Sequence, residues 1–217
     1  MQSISLEKSL TLFLIFITIT LFIGCLLLLF LLKRNPKNIK QVLIAIGAIL
    51  VFLAFIFNIW LNMDSILPLN TIENTEVQGK VLVVAHYDPW NYHTAVLEQY
   101  IEGLINEGWH VDIVSAGVNY SWELEGYDVL VLSGPEIFGT ACRPLTRYLR
   151  EVGDLEGMQV VTLTTGFWFT QHVSDMLTHA VVNSNGVLLQ ELIIFQSQPM
   201  NVALENAHNF GESLKLK

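Results

Sequence analysis

The chain has 217 residues, of which 52% are hydrophobic and only 14% charged, against about 25% charged in an ordinary soluble domain. That composition excludes a disordered tail protein, a coiled coil and a basic nucleic-acid binder. The charge is unevenly spread: residues 1–63 hold five basic side chains (Lys8, Lys33, Arg34, Lys37, Lys40) and one acidic one (Glu7), which leaves six basic and nineteen acidic residues in 64–217, a net of −13.

Leu10 to Leu32 is a run of 23 residues without a charge, and Val42 to Leu61 a second run of 20. Each is long enough to cross a hydrocarbon core of about 30 Å as a helix. The first run exceeds the ~7–15 residues of a signal-peptide core. Cys25 is followed by seven further apolar residues rather than by the polar tether of a lipoprotein. Residues 1–63 therefore read as a two-helix transmembrane hairpin, helices about 10–32 and 42–61, with the lipid bilayer as partner. Four of the eight residues Lys33–Lys40 are basic, which keeps the turn on the cytoplasmic side. Both termini are then expected outside, which makes this a multi-pass cell-membrane protein with an extracytoplasmic domain. Residues 64–79, with Pro68 and no clear period, read as a linker.

Residues 80–217 read as one α/β domain. Lys80–His86 is a continuous apolar run, as in a parallel strand buried on both faces. Thr94–Asn106 has helical spacing and stops at Gly108. Trp109–Val114 alternates as a strand, and Tyr127–Ser133 is another buried strand. Cys142–Val152 is helical, Met158–Thr164 a strand, Phe169–Val182 a helix, Val187–Phe195 a fifth strand and Met200–Leu214 a closing helix. This alternation predicts a doubly wound, five-stranded parallel sheet in the order 2-1-3-4-5. In that order a ligand crevice opens at the carboxyl ends of the first and third strands. The unusual residues collect there, in His86–Thr94, Gly134–Thr140 and Thr165–Trp168.

Those loops carry a resemblance. Ala85-His86-Tyr87-Asp88-Pro89-Trp90-Asn91-Tyr92-His93-Thr94 resembles the quinone-reductase pattern A-H-P-[DE]-P-x-S-F-N, matching at Ala85, His86, Asp88 and Pro89. Gly134–Leu145 looks like the flavin loop T-P-V-Y-x-G-x-x-x-x-x-L, matching at Pro135 and Gly139, with Ile137 in the aromatic slot. Asp154–Val161 resembles D-L-K-G-K-K-V-A. The domain is thus similar to the flavodoxin-like superfamily, in its flavodoxin, FMN-reductase and NAD(P)H:quinone oxidoreductase branches, with substituted flavin loops.

The resemblance implies FMN as cofactor. Its site would comprise His86, Asn91, His93 and Thr94 in the first loop, Pro135, Glu136, Ile137, Phe138 and Gly139 in the second, and Thr165, Gly166 and Trp168 in the third. Asn91, His93 and Thr94 stand where a helix N-terminus could meet the phosphate; His93 or Thr94 could equally serve only as helix cap. Trp90, Tyr92 and Trp168 offer aromatic surface, either as ring walls or as packing and a partner-facing rim. Arg143, Arg147 and Arg150 share a helix face that reads as solvated. The six histidines show no ligand spacing, so no metal site is expected, and no catalytic residue stands out. Two functions remain open: FMN-dependent electron transfer or quinone/flavin reduction, with an acidic surface suited to a redox partner, and a flavin-free module that binds a membrane-protein partner. If the hairpin is oriented as the charges imply, a cysteine introduced by Ser65→Cys labels from outside intact cells; labelling only after permeabilisation would reverse the orientation.

Overall fold

The computed structural model describes residues 70–72, 78–87, 91–116, 124–136, 139 and 142–216, together with 24, 44 and 46–53. The chain divides into two compact units, Met1–Met63 and Asp64–Lys217. Most of both expected membrane helices, 10–32 and 42–61, lies outside the described residues. Residues 46–53 of the second are helical, and Leu50, Val51 and Phe52 are exposed. No helix among the described residues is long and apolar enough to cross a membrane.

In the second unit the described elements follow as β1 (Asn70–Ile72), β2 (Gly79–Ala85), α1 (Tyr92–Asn106), β3 (Trp109–Ser115), β4 (Val129–Pro135), α2 (Arg143–Val152), β5 (Gln159–Gly166), α3 (Thr170–Asn183), β6 (Val187–Phe195) and α4 (Met200–Glu212). They form one sheet in the order β1-β3-β2-β4-β5-β6. From β3 to β6 every pair is parallel, and this part has the expected 2-1-3-4-5 order. The expectation of five strands is corrected to six. β1 falls in the stretch read as a linker and pairs antiparallel with β3, Asn70 opposite Ile113 and Ile72 opposite Val111.

Three residues carry no period, so β1 could not be seen as a strand. A buried carboxylate holds it. Thr71 Oγ1 donates to Asp112 Oδ1 (2.6 Å), and the Tyr127 hydroxyl donates to Asp112 Oδ2 (2.8 Å). Burial, that hydrogen bond and the Asp112 charge together push the Tyr127 phenol up to about 12. β1 also covers the outer edge of β3, whose backbone groups would otherwise lie open to pairing.

The strands are apolar throughout because both faces are covered. Val81, Val83, Val111, Val131, Val161 and Leu163 pack under α1 and α4, with Leu97, Tyr100, Leu104, Ala203 and Ala207. Leu82, Val84, Leu130, Leu132 and Val160 pack under α2 and α3, with Leu145, Leu149, Leu177 and Val181. Each valine or leucine among them contributes roughly 1.5–3 kcal/mol when fully buried. Where α1 crosses α4 the two backbones touch. A Cβ at Gly103 would strike the His208 carbonyl, and one at Gly211 would strike the Tyr100 carbonyl. Gly211→Ala should therefore cost about 1–3 kcal/mol, the usual range for overpacking, and lower the urea midpoint of unfolding.

Candidate functional site

Three loops meet at the carboxyl end of the sheet. The strand order reverses between β2 and β4, so their ends bound the crevice of a doubly wound fold. The first loop leaves β2 at His86, which is buried and whose backbone N–H donates to the Ser133 carbonyl (2.8 Å). The loop ends at Asn91, which opens α1 from the left-handed region at φ 61°. Asparagine is one of the few residues that adopts this conformation readily. The Asn91 side chain makes no cap hydrogen bond and is exposed, the first turn of α1 holds no acid, and Thr94 is half-buried. Tyr92 donates its hydroxyl to the Phe195 carbonyl (3.3 Å), which ties the start of α1 to the end of β6.

His93 points the other way from the expected phosphate contact. Its ring is fully buried, with Nε2 3.0 Å from Ser133 Oγ on β4 and Nδ1 3.0 Å from Thr165 Oγ1 on β5. Both nitrogens are engaged, so neither remains for a phosphate. Burial, reinforced by the neighbouring His86 and opposed by a hydrogen bond at Ser133, lowers its pKa to about 3. The imidazole is therefore neutral, donating through one nitrogen and accepting through the other. Ser133 and His93 lie at nucleophile–base distance, but both are fully buried. No substrate carbonyl can reach that hydroxyl, and the pair does not form a hydrolytic site.

The second loop begins with the buried Pro135. Glu136 follows, and its Oε2 accepts from the Phe167 N–H (3.0 Å), the Phe169 N–H (3.1 Å) and Thr170 Oγ1 (3.0 Å). The carboxylate thus occupies the N-terminal end of α3, where a negative charge is favoured by the helix dipole. Gly166 makes room for it, since a Cβ there would collide with the Glu136 side chain and Thr170 Oγ1. Ile137 and Phe138 lie outside the described residues. Gly139 has φ 71°, and a Cβ on it would meet the Phe169 ring at 3.1 Å. Beyond Gly166 the chain exposes Phe167, Trp168 and Phe169 in succession, Trp168 to 81%. Phe167 and Trp168 meet edge to face, with centroids 5.4 Å apart.

The structure therefore brings His86, Asn91, His93, Thr94, Pro135, Glu136, Gly139, Thr165, Gly166 and Trp168 to one end of the sheet. It separates them by role. Asn91 and Thr94 sit at the N-terminal end of α1. Gly139 meets the Phe169 ring, while Trp168 stands at the rim. His93 and Thr165 are interior posts, and Glu136 is a helix cap. Ser133 and Phe169 were not anticipated; a hydroxyl at a strand end and an aromatic beside a loop glycine were the signals available. Arg143 and Arg150 are exposed on α2, opposite its buried Leu145 and Leu149.

No protein-family model matches the chain, and neither does any curated protein sequence. Solved structures do match. A flavodoxin from Streptococcus pneumonia TIGR4 is 14% identical, with TM-score 0.52, covering 62% of this chain and 96% of its own. Flavodoxin 2 from Bacillus cereus is 16% identical, with TM-score 0.53, covering 61% and 94%. A flavodoxin from the domain Archaea is 12% identical, with TM-score 0.51, covering 61% and 94%. At these identities the likeness establishes the flavodoxin-like fold of the second unit.

The buried imidazole makes stability depend on pH with a definite sign. Unfolded, His93 takes up a proton near pH 6.5; folded, it does so only near pH 3. Its contribution is therefore lost as pH falls between those values, at up to about 1.4 kcal/mol per pH unit. His93→Gln should be less stable than the wild type at pH 7. The gap in urea midpoint should narrow steadily as the pH is lowered from 6.5 toward 4.

Proposed function

We propose that the chain is a membrane-tethered flavodoxin-like protein that binds FMN and transfers electrons, to or from a quinone, a flavin or a protein partner. The observation that carries this reading is the contrast between two helix N-termini at the same end of the sheet. The positive end of α3 is filled by Glu136, whereas α1 has no acid in its first turn and an uncapped Asn91. A helix N-terminus without an acid of its own is a place where an external phosphate is favoured.

The residues fit the cofactor at both of its ends. Asn91 and Thr94 would hold the phosphate on the N-terminus of α1. Gly139 leaves space beside the Phe169 ring that a Cβ would fill, which suits a flat aromatic ring. Pro135, Gly166 and the His86 backbone would line the crevice between them. Bound FMN would supply one- and two-electron chemistry. The chain's own part is to bind the phosphate, orient the ring and keep water from one of its faces. His93 and Thr165 support this from below, by fixing the first turn of α1 against β4 and β5. The net charge of −13 in residues 64–217 suits docking to a basic redox partner. The uncharged runs in residues 10–32 and 42–61 would anchor the protein in the cell membrane, with the domain on the outer side.

A second reading has its own support. Because His93 is fully buried with both nitrogens engaged, the domain could hold its shape without a cofactor and act as a partner-binding module in a membrane complex. Titration of FMN against the purified protein, followed by quenching of flavin fluorescence, separates the two. The wild type should bind. Asn91→Ala combined with Thr94→Ala should weaken binding by about 10- to 150-fold, the loss expected when donors to a charged group are removed, while Arg143→Ala changes little. Absence of binding by the wild type at about 100 µM, a free energy of only some 5.5 kcal/mol, would leave the flavin-free module as the function.

A further inference from the structure

The sheet ends on two unlike edges. β1 is three residues long and screens β3. β6 has nine residues and, among the described residues, one neighbour, β5. Part of the backbone of such a strand turns its N–H and C=O groups away from that neighbour. Seven of its nine residues are apolar, yet only Ile194 is buried, whereas β4 in the middle of the sheet is buried at every position.

Apolar surface continues on both sides of this edge. Val187 on β6 is exposed, as are Val182 on α3 and Val202 on α4. Val182 lies one turn beyond Thr178, on the side of α3 that meets Glu191. Val202 lies three turns before Ser213, on the side of α4 where Gln190 of β6 donates to Ser213 Oγ (3.3 Å). Among the described residues of the second unit, every large apolar side chain that is exposed falls at or after Phe167. The uncovered apolar surface thus belongs to the part of the domain that holds β6.

A long apolar edge is a template for another strand, and its charge says which. Glu191 is exposed in the middle of β6, and its Oε1 accepts from Ser174 and Thr178, while Oε2 accepts from neither. A residue directly opposite on an added strand would project to the same face, with the Cβ atoms about 5 Å apart. A second copy is a poor occupant. Two β6 strands paired antiparallel about their midpoint set one Glu191 against the other, and each copy brings a net of −13 from residues 64–217. An apolar strand with a Lys or Arg at that place meets no such repulsion and gains a cross-strand ion pair. Glu191 therefore acts as a filter, against strands without a matching charge and for those that carry one.

We infer that the outer edge of β6 is a docking site for an extended segment of a protein partner, apolar on either side of a Lys or Arg that pairs with Glu191. The segment lengthens the sheet by one strand, in the manner of β-augmentation, between Val182 on one side and Val202 on the other. The site is independent of both the flavin and the tether.

The test sets a probe strand beside the edge. Because Gln190 bonds Ser213 at the end of α4, a segment appended to the carboxyl terminus through a flexible Gly/Ser linker meets β6 at an effective concentration on the order of millimolar. The appended segment is Val-Thr-Val-Lys-Val-Thr-Val. It reads the same in both directions, so its Lys falls opposite Glu191 whether it docks parallel or antiparallel. A second fusion carries Glu in place of that Lys. The full chain, in detergent, is followed by hydrogen exchange over residues 187–195. The Lys segment should slow exchange there relative to the unmodified chain, and by about 2- to 30-fold more than the Glu segment, the range spanned by matched against opposed cross-strand charges. Glu191→Lys should reverse the preference. Glu191→Gln, whose amide oxygen can still accept from Ser174 and Thr178, should abolish it, which keeps the test decisive if the Lys variant fails to fold. Protection by neither segment, or by the Glu segment as much as by the Lys one, would overturn the inference. So would protection of β6 in the unmodified chain that disappears on dilution, since a second copy would then hold the edge.

Discussion

A parallel sheet must be buried on both faces, and most of this domain follows from that requirement. The strands can be valine- and leucine-rich only because α1 and α4 cover one face while α2 and α3 cover the other. Close cover needs short distances between layers. At the crossing of α1 and α4 it is achieved by glycine against glycine, with backbone meeting backbone. This places α1 firmly over β2 and β4, and with it the first turn that forms one wall of the crevice. The edges are handled by other means. β1 screens β3, while β6 carries Glu191 in its middle, accepting from Ser174 (2.6 Å) and Thr178 (3.2 Å) on α3. A charge at that position discourages pairing with another strand. The extra residue of the bulge opposite Val160 and Val161 sets this part of β6 in register with β5.

The polar interior at the carboxyl end obeys a second rule, that a buried polar group must be matched. His93, Ser133 and Thr165 satisfy one another across three elements. Removing one of them strands the others, so the cluster works as a unit. The imidazole stays neutral because a charge there would be desolvated and would face His86. A neutral post of fixed shape can hold the start of α1 in place without introducing a charge beneath the helix terminus. A protonated one would add positive charge there but would no longer accept from either hydroxyl.

Much of the architecture was legible in the sequence. Periodicity located the five parallel strands and the four helices, since each spans several turns or a long apolar run, and the alternation of types fixed the order. What it missed depends on partners distant in the chain. β1 is too short to show a period and exists because Asp112, 41 residues away, accepts from Thr71. His93 looked like a phosphate donor because it precedes a helix, but its partners lie 40 and 72 residues on. Glu136 looked like a flavin-loop residue, but its acceptor role is toward backbone 31 and 33 residues away. Sequence placed His93 and Glu136 at the right end of the sheet; only the tertiary contacts assign their work. The strand after Tyr127 begins two residues later than its apolar pattern suggests. Asp128 is drawn instead into a contact with Lys80, whose N–H donates to its Oδ2 (2.8 Å).

The placement of Glu136 also decides which helix could recruit a ligand anion. Among the helices that start at this end of the sheet, α1 and α3 differ, although each presents the positive end of its dipole. An external phosphate would ordinarily have both to choose from. At α3 a carboxylate supplied by the chain already receives two backbone N–H groups and a hydroxyl, and displacing it would strand a negative charge beside the incoming one. The cost of that repulsion falls only on α3. At α1 the first turn lacks an acid, and the side chain of Asn91, which opens the helix, makes no cap bond. The asymmetry between α1 and α3 is internal to the domain and independent of any cofactor. An electron carrier and a flavin-free binder built on this fold would therefore share one anion-facing terminus, and they would differ in whether a ring occupies the space beside Gly139.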